Sequence, residues 1–421
     1  MGNQFSSGIP SMILPVERYF QDLPDFQYLN SLGNTRFMKV AAANDTEGTC
    51  VVKIVAVHDS AALLKPHLNE VERIAKALRG KPNCWPFTRA LLSEKVGVLV
   101  RPYGKDTLYD RLSTRPFLIP VEKKWIAFQL LKALEQCYDV DVCHGDIKCE
   151  NVVVSSSNWA SLVDFASFKP TYLPHDNPSD FSLFFDTGRR RTCYLAPERF
   201  LSSDDMQQAQ GPGSFAQPSP GVEDRVPKHN PPLAHAMDMF SLGCVLMEML
   251  TDGCAPFDFS QMLAFRQTKY KPEHLIDKIE CPHMRDLVRR MLSKRPQERG
   301  HASELLSWQR GNAFPEIFYS FLFPYLSQWQ IQPLKLPDDQ ILQLMQDKDI
   351  ILEQILHQHP ASLVVILSHV LACLRSLKFV QRKLDAFDLI QSISTHLADE
   401  LIMDRVLPYL VRPPFHPEKS V

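Results

Sequence analysis

The chain has 421 residues, 45% of them hydrophobic and 22% charged, and its formal net charge is −2. This length predicts two folded units, and the balanced charge argues against a nucleic-acid-binding protein. The 10 cysteines include no Cys-x-x-Cys pair, which disfavours a zinc site and a secreted disulfide framework. The chain shows no secretory signal and no apolar run long enough to span a membrane, so we expect neither.

The N-terminal sequence Met1-Gly2-Asn3-Gln4-Phe5-Ser6 has the glycine and serine spacing of an N-myristoylation signal. The lipid would be attached to Gly2. Because the motif is short, chance matches are common, and one acyl chain alone gives only marginal membrane binding. We interpret residues 1–25 as an acylation segment whose apolar side chains contact a membrane or dock on the folded domain.

The next part of the chain, 26–102, reads as a small lobe. Strand-like segments at 28–32, 36–42 and 49–57 are separated by turn signals, and 96–101 again has strand character. A helical apolar period covers 63–78. This pattern predicts a small antiparallel sheet with one helix.

Helical periodicity dominates the remainder, which predicts a large lobe at 103–315. Within it, 202–232 is crowded with Ser, Asp, Gln, Gly and Pro, as expected of a mobile insertion. Helices between Pro and polar turns, predicted at 338–357, 362–377, 381–397 and 401–410, continue through 316–421 and suggest the first units of a HEAT-like solenoid. The predicted fold class is α+β: a bilobal domain followed by an α-helical segment.

Four separated motifs point to phosphoryl transfer, which needs charges placed around a polyphosphate and magnesium. Lys53 interrupts a β-branched strand. The segment His144-Gly145-Asp146-Ile147-Lys148-Cys149-Glu150-Asn151 offers Asp146 to orient an acceptor hydroxyl, Lys148 to steady the phosphate and Asn151 to hold metal. Asp164 in Asp164-Phe165-Ala166 would be the second metal ligand. Ala196-Pro197-Glu198 completes the order that protein kinases have.

The strand lysine needs an anion if it is buried. Nucleotide phosphates and a helix glutamate supply one in kinases, and Glu70 is the best candidate partner of Lys53, with Glu72 as the alternative. Taken alone, the segment would favour a solvent-facing lysine on a strand edge. The downstream motifs favour the buried interpretation.

Three further residues are predicted to be structural. Glu198 would form a buried ion pair with Arg299 and tie the activation segment to the large lobe. Asp238 would brace the backbone of the catalytic loop, with ordinary helix N-capping as the alternative. His144 is more simply a hydrogen-bonding residue than a catalyst, because the kinase pattern uses the aspartate two places later.

The motifs also depart from the kinase pattern. The nucleotide-covering segment, with Leu32, Gly33 and Val40 as candidate contacts, has one glycine where kinases use three, so clamping should be weaker. Gly145 replaces an arginine that usually neutralises an activation-loop phosphate, which disfavours activation by phosphorylation. Ala166 replaces a flexible glycine, and this change either fixes Asp164 in one setting or misplaces it.

With these residues in view, the chain resembles the large kinase-like regulatory subunit of class III phosphatidylinositol 3-kinase. The likeness rests on Leu32-Gly33-Asn34-Thr35-Arg36-Phe37, the catalytic loop, Asp164-Phe165-Ala166-Ser167-Phe168-Lys169-Pro170 and Arg189-Arg190-Arg191-Thr192-Cys193-Tyr194, together with the acylation signal. It runs from the N-terminus into the first helical repeats. Members of this family continue with more repeats and a β-propeller.

The resemblance implies ATP or GTP with Mg²⁺ as cofactors, and a lipid-kinase catalytic subunit and a Beclin-type subunit as partners. It also implies a cytoplasmic, peripheral location on late endosomes, autophagosomes and Golgi-linked membranes. Three hypotheses for function remain open. The first is a nucleotide-binding regulatory subunit with weak or specialised Ser/Thr phosphotransfer, the second a conventionally active Ser/Thr kinase, and the third an inert adaptor.

Overall fold

The computed structural model describes residues 15–34, 38–55, 64–92, 96–186, 188, 190–202, 233–331 and 334–411. Two features predicted from the sequence, the acylation site at Gly2 and nearly all of the insertion at 202–232, lie outside these residues. None of the described helices has the length and apolar character that a membrane crossing requires. All ten cysteines are free thiols.

A five-stranded antiparallel sheet, in the order β1-β2-β3-β6-β5, forms the small lobe. Its strands are β1 Gln27–Asn34, β2 Met38–Asp45, β3 Gly48–Val55, β5 Arg89–Leu92 and β6 Gly97–Pro102. The register places Lys53 opposite both Val40 and Leu99. Because side chains alternate along a strand, Lys53 and Arg101 lie on the same face of the sheet, which faces the large lobe.

The opposite face of this sheet is covered by the N-terminal segment. The 3₁₀ turn Val16–Asp22 buries Val16, Tyr19 and Phe20 in one cluster with Val52 and Val98 of the central strands. Both faces of the central strands are therefore buried, and this explains why the sequence there is continuously apolar instead of alternating. The end of the predicted acylation segment is thus part of the folded small lobe.

The small-lobe helix runs Leu68–Ala77 after a 3₁₀ turn at Lys65–His67. Its Val71 packs in a second cluster with Val55 and Leu99 on the cleft face of the sheet. Phe168, from the segment that follows Asp164, belongs to the same cluster. The two lobes are therefore joined by apolar contacts on the cleft side of the helix.

The large lobe is mainly helical. Its helices are Leu108–Ser113, Pro120–Tyr138, Ser179–Phe184, His235–Leu250, Phe259–Arg266, Glu273–Ile276, Pro282–Met291 and Ala302–Trp308. Short 3₁₀ turns lie at Cys149–Asn151, Pro197–Arg199 and Pro296–Glu298. The helix Ser179–Phe184 was not predicted from the sequence.

Short strands at the lobe boundary deliver the site residues. The strands β7 Val152–Val154 and β8 Ala160–Val163 form an antiparallel pair, which places Asn151 before the first strand and Asp164 after the second. The strand β4 Cys84–Trp85 pairs in parallel with β8, and β9 Leu173–Pro174 pairs with β10 Phe200–Leu201. The hairpin thus brings two segments 13 residues apart in sequence to one edge.

The C-terminal region is wholly helical where it is described. It contains the helices Phe323–Ser327, Pro337–Gln346, Lys348–Gln358, Leu363–Leu374, Val380–Ser394, Asp399–Leu401 and Leu407–Val411, with 3₁₀ turns at Gln328–Gln330 and Pro360–Ser362 and π-helical turns at Phe318–Leu322 and Ile402–Val406. The single helix predicted at 338–357 is two helices that break at Asp347, whose carboxylate accepts a 2.8 Å hydrogen bond from the Tyr325 hydroxyl.

Aromatic packing fixes this region against the large lobe. The Trp125 ring, wholly buried in the helix Pro120–Tyr138, lies 5.0 Å between centroids from Phe318 in an edge-on arrangement. Phe128, one turn later, contacts Tyr319 in the same way at 4.7 Å. Edge-on aromatic pairs add to the stabilisation from area burial, so the two regions share one core.

Candidate nucleotide and phosphoryl-transfer site

Lys53 lies in the cleft between the lobes, on the central strand β3. Its Nζ is 2.7 Å from Oδ2 of Asp164, and its side chain is only 16% exposed. The strand, the hairpin β7–β8 and their register together bring these two residues into direct contact. The sequence motifs at Lys53 and Asp164 therefore meet at one point.

The predicted pairing of Lys53 with Glu70 is wrong in this structure. Glu70 is 41% exposed and accepts two 2.8 Å hydrogen bonds from Arg73, three residues later on the same helix. The alternative partner, Glu72, is exposed. The cleft side of the helix is occupied by the apolar cluster around Val71 and Phe168, so Lys53 finds its counter-charge in Asp164.

Arg101 is a second cation on Asp164 that the sequence analysis missed. Its Nε donates to Oδ1 of Asp164 at 2.7 Å, and its Nη2 donates to Oδ2 at 3.4 Å. Arg101 is buried, with 7% exposure. The sequence feature that identified Lys53, a charged residue inside an apolar strand, is also present at Arg101.

Asp146 is enclosed by cations in the same way. Oδ2 of Asp146 lies 2.7 Å from Nζ of Lys169 and 3.3 Å from Nζ of Lys148, and it accepts a 3.0 Å hydrogen bond from the Asn151 amide. Asn151 also donates to the main-chain carbonyl of Asp146 at 2.8 Å. Lys169 had no predicted role, although it belongs to a motif that carried the resemblance.

These contacts set the charge states of the site. Burial alone would raise the pKa of Asp164, but Arg101 and Lys53 outweigh it and hold that pKa well below its usual range. Burial likewise opposes ionisation of Asp146, and Lys148 and Lys169 bring the pKa of its carboxyl below the ordinary value. Burial lowers the pKa of Lys169 to about 8, partly offset by Asp146. Both carboxylates are therefore ionised and neutralised by side chains of the chain itself.

The cleft between these residues is small. The cavity has a volume of about 50 Å³ and is lined by Met38, Val40, Lys53, Phe87, Asp146, Lys148, Asn151, Asp164, Phe168 and Lys169. Small-molecule pockets usually measure roughly 300–1,000 Å³, so a nucleotide requires a wider separation of the lobes. Phe87 and Phe168 contribute to the apolar part of its lining, and their ring centroids lie 6.3 Å apart.

The predicted nucleotide contacts divide into two groups. Val40 and Lys53 line the cavity, whereas Leu32, which is 42% exposed, and Gly33 do not. Gly33 adopts φ +139°, a conformation that favours glycine. Residues 35–37 of the same segment lie outside the described residues.

Asp238 and His144 stabilise the backbone of the catalytic loop through hydrogen bonds. The Asp238 carboxylate accepts hydrogen bonds from the backbone N–H groups of His144 at 2.6 Å and Gly145 at 2.9 Å. His144 donates through Nε2 to the Val163 carbonyl at 2.7 Å, and its Nδ1 accepts from the Asp146 N–H at 3.2 Å. Burial lowers the pKa of His144, which keeps the ring neutral and structural.

The backbone at Gly145 disfavours the arginine of the usual kinase pattern. It adopts φ +82°, which strains any residue with a Cβ, and an added Cβ would lie 2.9 Å from a methyl group of Leu233, whose side chain would have to shift. Arg199 supplies a guanidinium to the same loop from another direction: it donates to the carbonyls of Gly145 at 2.8 Å, Thr171 at 2.7 Å and Pro170 at 3.0 Å. These bonds join the catalytic loop to the activation segment without a phosphate.

Glu198 and Arg299 form a bidentate ion pair. Nη1 and Nη2 of Arg299 lie 2.6 and 2.8 Å from the two carboxylate oxygens of Glu198. Arg299 is wholly buried and also donates to the Ser293 carbonyl at 2.8 Å and the Ala236 carbonyl at 2.7 Å. The pair fixes the segment after the activation loop to the large lobe.

The site contains the kinds of oxygen ligand that a magnesium–nucleotide complex needs. Mg²⁺ prefers carboxylate and amide oxygens, which Asp164 and Asn151 supply. Both oxygens of Asp164 already accept hydrogen bonds from cations, so a metal ion would compete electrostatically with Lys53 and Arg101 for this carboxylate. Among the described residues, no three His, Cys, Asp or Glu side chains are grouped as a metal site.

Comparison with known proteins agrees with this geometry. The sequence model of the protein kinase domain matches residues 26–211, and that of the PIK3R4-like middle domain matches residues 366–421. The first match includes the cleft residues named above, and the second covers the last described helices.

The curated relatives of this chain include proteins named as serine/threonine-protein kinases. The serine/threonine-protein kinase VPS15 of Arabidopsis thaliana is 39% identical over 79% of this chain and 21% of its own length. The protein of the same name from Saccharomyces cerevisiae is 36% identical over 77% of this chain and 21% of its length. A non-specific serine/threonine protein kinase of Candida glabrata is 33% identical over 98% of this chain and 32% of its length.

The chain thus spans between about a fifth and a third of the length of these relatives. The protein-kinase match falls on the small β-rich lobe and the first part of the helical large lobe. The PIK3R4-like match falls on the helices that follow. The chain therefore belongs to the VPS15-related family, with a protein kinase domain followed by a helical PIK3R4-like region.

Proposed function

We propose that the chain is a nucleotide-binding, kinase-like regulatory subunit with weak or narrowly directed Ser/Thr phosphotransfer. One observation carries this proposal: each of the two carboxylates of the site is neutralised by two cations of the chain. Lys53 and Arg101 bind Asp164, and Lys148 and Lys169 surround Asp146. A metal nucleotide must compete with these pairs, whereas an open kinase site leaves the metal ligands free.

The free energy needed to break these contacts between carboxylates and cations explains the weak activity that we expect. Breaking one charge-assisted hydrogen bond to a carboxylate costs about 1.5–3 kcal/mol, which corresponds to a roughly 10–100-fold lower population of the open site. The groups that phosphoryl transfer needs are nevertheless present. Lys53 would contact phosphate, Asn151 and Asp164 would hold Mg²⁺, and Asp146 would orient the acceptor hydroxyl.

The partners in this proposal come from the resemblance. The chain would bind the catalytic subunit of class III phosphatidylinositol 3-kinase and a Beclin-type subunit, and would act in autophagy and endosomal sorting. A myristoyl group on Gly2 would hold it peripherally on late endosomes, autophagosomes and Golgi-linked membranes. The match of residues 366–421 to the PIK3R4-like middle domain supports this assignment for the helical region.

Two other functions each have one supporting observation. A conventionally active Ser/Thr kinase is favoured by the meeting of Lys53, Asp146, Asn151 and Asp164 around one cavity. An inert adaptor is favoured by the volume of that cavity, about 50 Å³.

One experiment separates the three functions. Thermal stabilisation by ATP and by GTP, each with Mg²⁺ or EDTA, is measured for the wild-type chain, Lys53→Ala and Asp146→Asn, followed by phosphotransfer to a protein substrate. Stabilisation that Lys53→Ala removes, without Asp146-dependent transfer, supports the regulatory subunit. Robust transfer that Asp146→Asn abolishes supports the active kinase, and no response to either nucleotide supports the adaptor.

A further inference from the structure

The ion pairs of the cleft contain more positive than negative charge. Four cations face two carboxylates, which leaves a net charge of +2 on these side chains. The cations are Lys53, Arg101, Lys148 and Lys169, and the carboxylates are Asp146 and Asp164. Among the described residues that line the cavity, no other side chain is acidic. The cleft therefore has positive charge available for an anion.

This excess charge is buried. The side chain of Lys148 is 7% exposed, and those of Lys169 and Arg101 are each 8% exposed. Burial lowers the pKa of Lys169 to about 8; Asp146 opposes this shift, and the neighbouring Lys148 adds to it. Because like charges repel strongly where water is excluded, a bound anion would stabilise the arrangement.

Lys169 is the cation best placed to contact such an anion. Its Nζ lies 2.7 Å from Oδ2 of Asp146, but the same oxygen also has Lys148 at 3.3 Å and the Asn151 amide at 3.0 Å. Asp146 therefore keeps two partners if Lys169 turns away. The main chain of Lys169 is fixed by a 3.0 Å hydrogen bond to the Ala166 carbonyl, while its ammonium group lies on a flexible stem that can follow a phosphate.

Asp164 already has two cationic partners in the opposite part of the cleft. Arg101 donates to both of its oxygens, at 2.7 and 3.4 Å, and Lys53 lies 2.7 Å from Oδ2. A divalent metal ion would add a third cation to this one carboxylate. Phe168, which follows Asp164 in the chain, packs with Leu99 on the strand that carries Arg101. This packing favours retention of the contact between Arg101 and Asp164 when the cleft widens.

We propose that the cleft binds the polyphosphate of a nucleotide without a divalent metal ion, and that Lys169 leaves Asp146 to contact the phosphates. Lys53 and Lys148 complete the phosphate contacts. Side-chain cations then supply the neutralising charge that magnesium supplies during phosphoryl transfer, so a nucleotide bound in this mode is retained and not turned over. The inference rests on the proposed nucleotide-binding function and specifies how that site holds its ligand.

The test measures binding of N-methylanthraniloyl-ATP and N-methylanthraniloyl-GTP to the 421-residue chain by fluorescence anisotropy, in EDTA and in Mg²⁺. For at least one nucleotide, we expect binding in EDTA to be as tight as in Mg²⁺ or tighter. If both nucleotides bind more weakly in EDTA, the proposal is overturned while the nucleotide-binding function stands. If neither binds in either buffer, the nucleotide-binding function fails as well.

Substitutions of Lys169 test its contact with phosphate. Lys169→Gln should raise Kd in EDTA about 10–100-fold, because one charge-assisted contact is lost. Lys169→Arg keeps the positive charge and should restore most of the affinity. The control Lys278→Gln removes the same charge from an exposed position outside the cavity and should leave Kd unchanged. A wild-type Kd in folded Lys169→Gln, or equal weakening by Lys278→Gln, contradicts the assignment of Lys169.

A measurement on the wild type keeps the test decisive if Lys169→Gln does not fold. Acyl phosphate derivatives of ATP and GTP transfer their acyl group to a lysine amine beside the phosphates, and the nucleotide leaves. In EDTA, peptide mass spectrometry should find the acyl group on Lys169, and an excess of the unmodified nucleotide should prevent this reaction. Acylation confined to other lysines, or acylation of Lys169 that excess nucleotide does not prevent, overturns the proposal.

Discussion

The carboxylate of Glu122, wholly buried in the first long helix of the large lobe, accepts a 2.7 Å hydrogen bond from Arg405 near the end of the described chain. Arg405 also donates to the Phe117 carbonyl. The other oxygen of Glu122 accepts from the Asn158 amide at 2.8 Å, and that amide lies 3.4 Å from the Ser368 hydroxyl. This buried polar network attaches the helical region to the kinase domain.

Removal of Arg405 should therefore loosen the helical region. In Arg405→Met, Glu122 stays buried without its counter-charge, and we expect the free energy of unfolding to fall by about 3–5 kcal/mol. Hydrogen exchange should rise first in residues 380–411. In the control Arg310→Met, an ion pair with Glu316 that is about half exposed is lost, and the expected change is much smaller because solvent screens this pair. Equal effects of the two changes would show that the buried network does not anchor this region.

Arg101 should control access of metal to Asp164. In Arg101→Met, the carboxylate keeps Lys53 and loses a charge-assisted bond worth about 1.5–3 kcal/mol, so apparent Mg²⁺ affinity should rise about 10–100-fold. A Mg²⁺ titration of thermal stabilisation at fixed ATP or GTP measures the shift. Arg89→Met, which removes an arginine paired with Asp45 away from the cleft, is the matched control. An unchanged Mg²⁺ midpoint in Arg101→Met would contradict this role.

Arg199 should hold the activation segment in place of a phosphate. Arg199→Met removes one hydrogen bond to a buried backbone carbonyl and two to partly buried ones, and we expect a loss of about 2–4 kcal/mol with faster hydrogen exchange in residues 170–186. Adding Gly145→Arg should lower stability further, because φ is +82° there and Leu233 fills the space. Restored protection in the double variant would refute the assignment.

His369 should make the helical region sensitive to acid. Burial lowers its pKa from 6.5 to about 4, while its Nε2 donates to Gln340 at 2.7 Å. Because the unfolded chain takes up the proton at a higher pH than the folded chain, stability is lost as pH falls from 6.5 toward 4. Between pH 7 and pH 5 the loss should be about 2 kcal/mol.

Urea unfolding at several pH values tests this dependence. His369→Gln keeps an amide donor but cannot ionise, so its stability should change less over that range. The exposed His283→Gln variant should behave like the wild type. If the acid sensitivity of His369→Gln equals that of the wild type, other groups are responsible.

The catalytic-loop residues could be located from the sequence because their geometry is local. Asp146 and Asn151 lie in one turn, and the short hairpin after them fixes where Asp164 emerges. The partner of Lys53 could not be located in this way. It depends on which face the helix Leu68–Ala77 turns toward the cleft, and long-range packing around Phe168 decides that.

The positions of two cations of the site could not be predicted from the sequence for the same reason. No role could be assigned to Arg101 or Lys169 from the sequence, because only the sheet register and the fold of the segment after Asp164 bring them to the carboxylates. The two helices joined at Asp347 were merged in the prediction because the apolar period continues through the break. Their separation depends on Tyr325, 22 residues earlier.

The docking of Val16–Asp22 on the outer surface of the sheet sets a geometric bound on membrane attachment. Fourteen residue steps separate Gly2 from Val16, so a fully extended tether is at most about 50 Å long. If Gly2 carries a fatty acid inserted in a bilayer, the β-rich lobe stays within that distance of the lipid headgroups. Under that condition the tether limits how far the small lobe can lie from the bilayer, and it places a looser limit on the helical region at the other end of the described residues.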